Sequence, residues 1–241
     1  MDDFYLGIFN PSKADFINRA CISVNVLQRR RSMTINNWIL DCGGYTTILK
    51  HGRYPDSPEA YAAQINHWSQ YGNLVAAVSQ DWLCLPSHLA RTGLSVADHQ
   101  RLSIERYDTL CKLVETTIIL PTLQGLNPTD YIVHLHQYGD RLRLKQWVGV
   151  GSLKNREIST VEAILIGIKR ERPDLQLHGF GCGLEYLSSG TIFQLLKSAD
   201  SMAWSYHARR RGFRRDCTIT AADYYRKATT RPVQLSLLAL A

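Results

Sequence analysis

The chain has 241 residues, of which 45% are hydrophobic and 20% are charged, a size and balance that suit one compact soluble domain. Its longest apolar stretches, 116–123 and 237–241, are much shorter than the roughly 20 residues of a membrane-spanning helix, which excludes a membrane protein. The acidic start at Met1, Asp2 and Asp3 lacks the basic and then apolar order of a secretory signal. We therefore expect a cytoplasmic protein, or a phage-encoded one that acts in the cytoplasm of its host.

The formal net charge is +7, and much of the positive charge lies in two arginine clusters. One cluster is residues 29–31, and the other consists of Arg209, Arg210, Arg211, Arg214 and Arg215. Clusters of this kind suit the phosphate backbone of a nucleic acid, and a solvated basic face is the alternative. Nucleic acid is therefore the predicted partner.

The six cysteines, at positions 21, 42, 84, 111, 182 and 217, are widely separated and include no Cys-x-x-Cys pair. This spacing gives only weak support to a zinc or redox site. We expect buried free thiols, no metal site and no cofactor.

Short apolar runs alternate along the chain with amphipathic stretches, a pattern typical of βα units around a parallel sheet. Strands are predicted at 4–9, 21–26, 38–41, 74–79, 118–123, 147–150, 175–180 and 201–204. Helices are predicted at 12–19, 58–71, 95–114, 128–138, 160–170 and 221–228. Ser57 and Thr160 are the predicted N-caps of two helices, and Pro128 suits a first helical turn.

No Gly-x-Gly-x-x-Gly motif follows the first predicted strand, as a dinucleotide-binding open sheet would require. The pattern therefore favours a closed (β/α)8 TIM barrel, of the α/β class, over an open doubly wound sheet. We expect one domain over residues 1–241, with a C-terminal helical tail packed on the barrel.

Polar residues and glycines follow several predicted strands, where the active sites of such barrels lie. These segments are 41–45, 80–82, 124–125, 149–153 and 179–181. Asp41 and Asp81 close or follow their strands, whereas Asp200 precedes the last predicted run, so its place on the rim depends on where that strand begins. A carboxylate beside an apolar strand is costly to desolvate, although any single one is more often a helix cap or a salt-bridge partner.

The order and spacing of these segments resemble the tRNA-guanine transglycosylase family, and within it the smaller deazapurine DNA-modification transglycosylases of the DpdA type. Residues 41–45, Asp-Cys-Gly-Gly-Tyr, resemble the family's Asp-Ser-Gly-Gly-Phe motif. Residues 123–125 resemble its Val-Gln-Gly segment, residues 149–153 its Ala-Ile-Gly-Gly-Leu loop, and residues 178–181 its Met-Gly-Val-Gly run. Asp81 is similar to the family aspartate that binds the purine-like base.

The chain departs from the tRNA enzymes at two points. Their nucleophile is the second aspartate of an Asp-x-Phe-Asp motif, and here that position is Ala203, which leaves only Asp200. Their zinc ligands, closely spaced cysteines followed by a histidine, have no counterpart near Cys217. The missing zinc region and the short chain favour the branch that modifies DNA.

The resemblance implies that a guanine in DNA is exchanged for a 7-deazaguanine such as preQ0 by a pentosyltransferase, through a covalent aspartyl-glycosyl intermediate. It makes Asp200 the candidate nucleophile and Asp41 the candidate general acid and base. The candidate base-binding residues are Gly43, Gly44, Tyr45, Asp81, Gln124, Gly151 and Ser152. Tyr45 and Trp82 are candidates to stack on the base, with a purely structural place in the core as the alternative. The second arginine cluster is expected to hold the DNA backbone while the target base is out of the stack.

Two further groups of polar residues carry weaker expectations. His134 and His136 flank Leu135 on a predicted helix, so they point to different faces and are expected on the surface. Lys154 and Arg156 follow the glycine loop and are candidates for a phosphate contact, with a solvated loop as the alternative.

Other functions stay open at this stage. Ala203 is compatible with a non-catalytic barrel that binds nucleic acid as the partner of an active subunit. A tRNA-guanine transglycosylase and a metal-dependent barrel hydrolase are the remaining alternatives. The sequence also leaves open which deazapurine is used, which sequence is recognised, and whether the chain acts as a homodimer or with a partner subunit.

Overall fold

The sheet is built from parallel strands that largely follow the predicted runs. The protein is represented by a computed structural model, which describes residues 1–11, 17–214 and 217–230. Its strands are β1 (Asp3–Ile8), β2 (Arg19–Ser23), β3 (Asn37–Asp41), β4 (Asn73–Val78), β5 (Ile118–Leu120), β6 (Thr122–Leu123), β7 (Trp147–Val150), β8 (Gln176–Gly179) and β9 (Leu196–Ser201). They form one sheet in the order β5-β4-β3-β2-β1-β9-β8-β7-β6, with every neighbouring pair parallel.

The sheet closes on itself at residues 118–123. β5 pairs with β4 on one side, and β6 pairs with β7 on the other. Only Pro121 separates β5 from β6, and its carbonyl oxygen accepts a hydrogen bond from Gly149 N–H at 2.8 Å. Because proline has no N–H to contribute to a ladder, one predicted strand is divided in two. The protein is therefore a (β/α)8-like TIM barrel, as predicted, with its fifth strand in two pieces.

The helices lie in the connections between the strands. They are α1 (Val24–Leu27), α2 (Gly44–His51), α3 (Pro58–Trp68), α4 (Pro86–Thr92), α5 (Val96–Leu113), α6 (Pro128–Tyr138), α7 (Ile158–Glu171), α8 (Leu184–Leu187), α9 (Gly190–Leu195), α10 (Ala203–Arg210) and α11 (Thr218–Thr229). Five of them were predicted: α3, α5, α6, α7 and α11. Ser57 caps α3 as expected, since its Oγ accepts a hydrogen bond from Ala60 N–H at 3.3 Å. The N-cap of α7 is Glu157, so the predicted cap at Thr160 was wrong.

The last predicted strand was placed wrongly, and the correction matters for the site. The run 201–204 contains the last residue of β9 and the first two residues of α10, which buries Trp204 and Ala208 one helical turn apart. The rest of the true strand, β9, comes before this run and was missed because it carries several polar residues. Asp200 is next to last in β9 and therefore lies at the carboxyl end of a strand.

Some predictions differ at a boundary or fall outside the described residues. The second strand ends at Ser23, earlier than predicted, because the residues after it form α1. The predicted helix at 12–19 falls mainly on residues 12–16, which lie outside the described part of the chain. The apolar tail at 237–241 and Arg215 also lie outside it.

The helices pack on the outside of the barrel through apolar stripes. In α7, Val161, Ile164, Leu165 and Ile168 recur at helical spacing, and all are buried. Burial of each such side chain contributes roughly 1.5–3 kcal/mol to stability. In the described part of the chain, no helix combines the length and apolarity needed to cross a membrane.

All the cysteines are free, and four of them are buried as expected. The expectation was wrong for Cys111, which is exposed on α5, and for Cys217, which is half-buried before α11. Among the described residues, no group of three or more His, Cys, Asp or Glu side chains is arranged to hold a metal ion.

Candidate active site

A cavity of about 190 Å³ opens at the carboxyl ends of the strands. The residues predicted from the sequence that line it are Asp41, Gly44, Tyr45, Asp81, Gln124, Gly151, Ser152 and Asp200. Gly43 is outside the lining but donates a hydrogen bond to Asp41. We refer to Asp41, Asp81 and Asp200 as the cavity aspartates. Strand ends far apart in the chain thus supply one small site.

Asp41 is the last residue of β3 and is half-buried in the cavity wall. Its Oδ2 accepts a hydrogen bond from Gly43 N–H at 3.0 Å, and its carboxylate also bonds the Ser23 side chain. Burial, followed by the charges of Asp81 and Asp200, raises the pKa of Asp41 to about 7. Both protonation states of this carboxyl are therefore populated near neutral pH, which suits a group that donates and accepts protons.

The glycines after Asp41 turn the chain sharply from β3 into α2. Gly43 has a φ of 72°, in the left-handed region, and a Cβ there would collide with the Asn25 side chain. Gly44 begins α2, and a Cβ there would collide with the hydroxyl of Tyr54. Both positions therefore require glycine, and the backbone at Gly44 forms part of the cavity wall.

Asp81 follows β4 and is almost completely buried. Its Oδ1 accepts a hydrogen bond from Cys42 Sγ at 3.1 Å, and its Oδ2 accepts one from Gln124 Nε2. Burial raises the pKa of the Asp81 carboxyl, while the hydrogen bonds from Cys42 and Gln124 act in the opposite direction. Cys42 replaces the serine of the related motif and here serves as a hydrogen-bond donor to this carboxylate.

The orientation of the Gln124 amide is fixed by Ser152. Cys84 N–H donates to Ser152 Oγ at 2.8 Å, and Ser152 Oγ donates to Gln124 Oε1 at 2.6 Å. The amide nitrogen of Gln124 therefore points to Asp81, and one of its two hydrogens is used there. Among the described residues the other hydrogen has no acceptor, and since Gln124 lines the cavity this hydrogen is available to a ligand.

Ser152 has a φ of 55°, which is unusual for a residue other than glycine. This left-handed backbone costs about 1–2 kcal/mol for a residue with a Cβ. The two hydrogen bonds of the Ser152 hydroxyl, with Cys84 and Gln124, offset this cost. In the related Ala-Ile-Gly-Gly-Leu loop, this position is glycine.

Arg156 holds two rim loops together and does not face the cavity. Its guanidinium donates to the carbonyl oxygens of Ser152, Gly125 and Leu126 at 2.6, 2.9 and 2.6 Å. Three of its five N–H donors are used in these bonds, and the expected phosphate contact of this side chain stays a prediction. Lys154 does line the cavity, where its Nζ donates to Tyr45 Oη at 3.1 Å and lies 4.3 Å from the ring centroid.

His134 is buried, so the expectation of a surface position was wrong, whereas His136 is exposed as expected. Gln124 N–H donates to His134 Nδ1 at 2.9 Å, which fixes the backbone of the residue that carries the cavity amide. Burial lowers the pKa of His134 to about 3, so the ring is neutral and its Nδ1 accepts. The partner of His134 is ten residues away in sequence and could not be read from the helical pattern.

Two aromatic residues face the cavity. Tyr45 is 37% exposed and packs against His88, with ring centroids 5.0 Å apart. Trp82 is buried against Tyr54 and is not part of the cavity lining, so of the two stacking candidates only Tyr45 faces the site. Phe180 also lines the cavity and was missed, because its position within a glycine run gave no separate signal.

Asp200 reaches the cavity from β9, and its side chain is 13% exposed. Its Oδ1 accepts a hydrogen bond from Gly181 N–H at 3.0 Å. His178 Nε2 lies 3.4 Å from the same oxygen. Ala203, which aligns with the nucleophile of the tRNA enzymes, begins α10. Asp200 therefore supplies a carboxylate to the cavity, whereas position 203 supplies none.

The described residues of the second arginine cluster lie at and beyond the carboxyl end of α10. Met202 lines the cavity immediately before this helix, and Arg209, Arg210 and Arg211 are exposed at its far end. The guanidinium groups of Arg209 and Arg210 lie 5.9 and 5.8 Å from the ring centroid of Tyr206, which is itself exposed. Arg214 is exposed as well. A strip of apolar, aromatic and basic side chains therefore starts at the cavity.

A TIM barrel with several carboxylates around a cavity at the carboxyl ends of its strands has the architecture of an enzyme of this fold class. The chain belongs to the DpdA family, since the family model described as DeoxyPurine in DNA protein A matches residues 1–230. A search of curated proteins found no match. Membership of the family gives the protein a general role in deazapurine modification of DNA, as a transglycosylase-type enzyme with DNA as its substrate.

Proposed function

We propose that the protein replaces guanine in DNA with a 7-deazaguanine base such as preQ0 by two successive displacements at the anomeric carbon of the sugar. The observation that carries this proposal is the arrangement of the cavity aspartates around one small cavity, with the pKa of Asp41 raised to about 7. Base exchange needs a nucleophile and a separate group that gives and then takes a proton. Asp200 and Asp41 suit these two roles.

In the first displacement, a carboxylate oxygen of Asp200 attacks the anomeric carbon, and the bond from that carbon to the guanine nitrogen breaks. The departing guanine takes a proton from Asp41, which is left ionised. The product is a covalent ester between Asp200 and the sugar. In the second displacement, ionised Asp41 takes a proton from the incoming deazapurine, whose ring nitrogen attacks the same carbon and releases Asp200.

Asp81 and Gln124 suit recognition of the polar edge that guanine and 7-deazaguanines share. An ionised Asp81 accepts from the ring N–H and the amino group, because each of its two oxygens accepts one side-chain hydrogen bond from the described residues and a carboxylate has about four acceptor sites. The remaining amide hydrogen of Gln124 is directed to the base carbonyl oxygen. Gly151 and Ser152 line the same wall with backbone groups, and Tyr45 provides an aromatic face for stacking.

The strip along α10 suits the DNA next to the target nucleotide. A base in duplex DNA is stacked, so it has to leave the stack to enter the cavity, at a cost of a few kcal/mol. Arg209, Arg210, Arg211 and Arg214 provide positive charge for the phosphates, and Tyr206 provides an exposed ring for a neighbouring base. The predicted contact of Arg215 concerns a residue outside the described part of the chain.

The proposal is tested by incubating the protein with guanine-containing DNA and isotopically labelled preQ0, and then analysing the nucleosides by mass spectrometry. We expect labelled deazapurine nucleoside to appear with wild-type protein and to be absent with Asp200→Asn. Asp174→Asn, far from the cavity at the start of β8, is a matched control and should behave like the wild type. Tight DNA binding without incorporation of preQ0 or of labelled guanine would instead favour a non-catalytic DNA-binding subunit.

A further inference from the structure

His178 lies directly behind Asp200, inside the barrel wall. It is the third residue of β8, its exposure is 0%, and it pairs in register with Ser198 of β9. Its ring packs against Phe180, Trp147 and Tyr5, with centroid distances of 4.6, 5.8 and 6.0 Å. This aromatic surround leaves the imidazole little freedom to rotate.

A chain of hydrogen bonds defines which ring nitrogen carries the hydrogen. Trp147 Nε1–H donates to Ser198 Oγ at 3.0 Å, and Ser198 Oγ lies 2.9 Å from His178 Nδ1. In the described part of the chain, the Ser198 hydroxyl hydrogen has no acceptor other than His178 Nδ1. A buried hydroxyl hydrogen is costly to leave unpaired, so Ser198 donates to Nδ1 and the ring hydrogen is on Nε2.

The Nε2–H group of His178 lies beside Asp200. It is buried and has no hydrogen-bond partner among the described residues, yet Asp200 Oδ1 lies only 3.4 Å away. A buried donor left unpaired is costly, and a small rotation of the Asp200 carboxylate would pair it. Gly181 N–H already donates to the same oxygen at 3.0 Å. One donor therefore bonds Oδ1 and a second lies beside it, whereas Oδ2 receives no hydrogen bond from the described residues.

We propose that His178 is a positioning residue for Asp200, and that it donates from Nε2 to Oδ1 so that Oδ2 is the oxygen that attacks. The inference rests on the proposed function, because it assumes that Asp200 is the nucleophile. When Oδ2 bonds the anomeric carbon and the bond to guanine breaks, Oδ1 becomes the carbonyl oxygen of the ester. In the second displacement, negative charge returns to the carboxylate, and the donors from His178 and Gly181 stabilise it. His178 keeps its hydrogen throughout.

The test is the single-turnover rate at which protein and guanine-containing DNA form a covalent adduct, measured on denaturing gels. His178→Leu keeps a side chain of similar bulk but removes the hydrogen-bond donor. We expect the rate constant at saturating DNA to fall about 100-fold. The Kd for DNA should change by less than about threefold. His178→Gln restores an N–H near the position of Nε2 and should recover at least about tenfold of the loss.

Two other variants separate positioning from simple packing. Ser198→Ala leaves the ring in place but removes the group that fixes its tautomer, and it should lower the rate constant about 3- to 10-fold. His136→Leu makes the same chemical change at an exposed histidine of α6 and should react at the wild-type rate. If His178→Leu does not fold, the Ser198→Ala result decides the question, and a wild-type rate for Ser198→Ala overturns the inference.

A folded His178→Leu protein that forms the adduct at the wild-type rate also overturns it. A His178→Gln protein that forms the adduct no faster than His178→Leu overturns the inference as well. The failure of the proposed function gives a different result, because the wild-type protein would then form no adduct or Asp200→Asn would form it normally. Either of these outcomes removes the nucleophile that His178 is inferred to position.

Discussion

At the amino ends of the strands, acidic side chains are paired with cations, as Asp174 is with Arg172 at 2.8 Å. At the carboxyl ends, among the described residues, none of the cavity aspartates pairs with a lysine or an arginine. The amino end also has the larger depression, about 1080 Å³ against about 190 Å³. Uncompensated charge, more than volume, therefore distinguishes the candidate site.

The pKa values of Asp174 and Asp41, at the two ends of the barrel, are shifted in opposite directions. The hydrogen bonds from Arg172 hold the pKa of Asp174 well below its usual range. Burial and the neighbouring aspartates raise the pKa of Asp41 to about 7. A paired carboxylate stabilises the fold, whereas a group like Asp41 costs stability when it ionises.

The largest effect is expected for Asp200→Asn. Because an amide oxygen cannot replace the carboxylate as nucleophile, the rate of base exchange should fall by at least about 10³-fold. Covalent adduct on denaturing gels is the measurement, and Asp174→Asn is the matched control. If Asp200→Asn still traps a covalent DNA adduct, another carboxylate attacks, and Asp41 becomes the first to test.

Asp41→Asn should lower the rate of adduct formation by roughly 10²- to 10³-fold, because the departing guanine loses its proton donor. The pH dependence is the sharper readout. The first displacement needs protonated Asp41, so the wild-type rate constant should be constant below about pH 7 and fall above it. The variant should be slow and independent of pH over the same range. A wild-type profile that rises through pH 7 contradicts the assignment.

Replacing Arg209 and Arg210 together by alanine should weaken DNA binding without changing the rate constant at saturating DNA. Each phosphate that is no longer neutralised should reduce the slope of log Kd against log salt by about 1, so the slope for the double variant should be lower by about 2. The measurement is a titration at several salt concentrations. Arg101→Ala, an exposed arginine on α5, is the control and should leave the slope unchanged.

The smallest effects concern stability and have opposite signs at the two ends. Between pH 3.8 and about 7, folded Asp41 binds more protons than unfolded Asp41, so its contribution to stability falls as pH rises through that window. Asp41→Asn should therefore raise the free energy of unfolding by about 1–3 kcal/mol at pH 8 and by less at pH 5. The half-burial of Asp41 keeps this figure below the full value of the shift.

The effect of Asp174→Asn on stability is expected to have the opposite sign to that of Asp41→Asn. The pKa of Asp174 is lowered, so its stabilising effect is present above about pH 4 and is lost as pH falls. Because the side chains of the Arg172–Asp174 pair are only part-buried and solvent screens their charges, the variant should lose less than about 1 kcal/mol at pH 7. Thermal unfolding at pH 5 and pH 8 measures both variants. Effects of the same sign in both would remove the contrast between the two ends.

Sequence periodicity was sufficient for most of the barrel because buried parallel strands are apolar runs of limited length. It failed at β9, where Lys197, Ser198 and Asp200 interrupt the run and the apolar residues that follow belong to α10. Strand order and closure also could not be read from periodicity. Pro121 divides a strand only because both of its sides are paired, a property of neighbours distant in the chain.

The candidate site was located by the rule that barrel sites lie at the ends of strands, helped by the resemblance of the glycine motif. Its internal hydrogen bonds were not predictable. Cys42 bonds Asp81, and Ser152 bonds Gln124, across separations of 39 and 28 residues. A single sequence contains no signal for such pairs, and the same limit hid the partner of His178 in β9.

The Gln124 amide has an oxygen end and a nitrogen end of almost the same shape, so packing alone cannot choose between two orientations related by a half-turn. Ser152 makes that choice, and it does so from a backbone conformation that glycine would adopt with less strain. The Ser152 hydroxyl, which also accepts a hydrogen bond from Cys84 N–H, therefore determines whether Gln124 presents a donor or an acceptor to the cavity. With the amide in the opposite orientation, Gln124 would present its oxygen, an acceptor, at the same point.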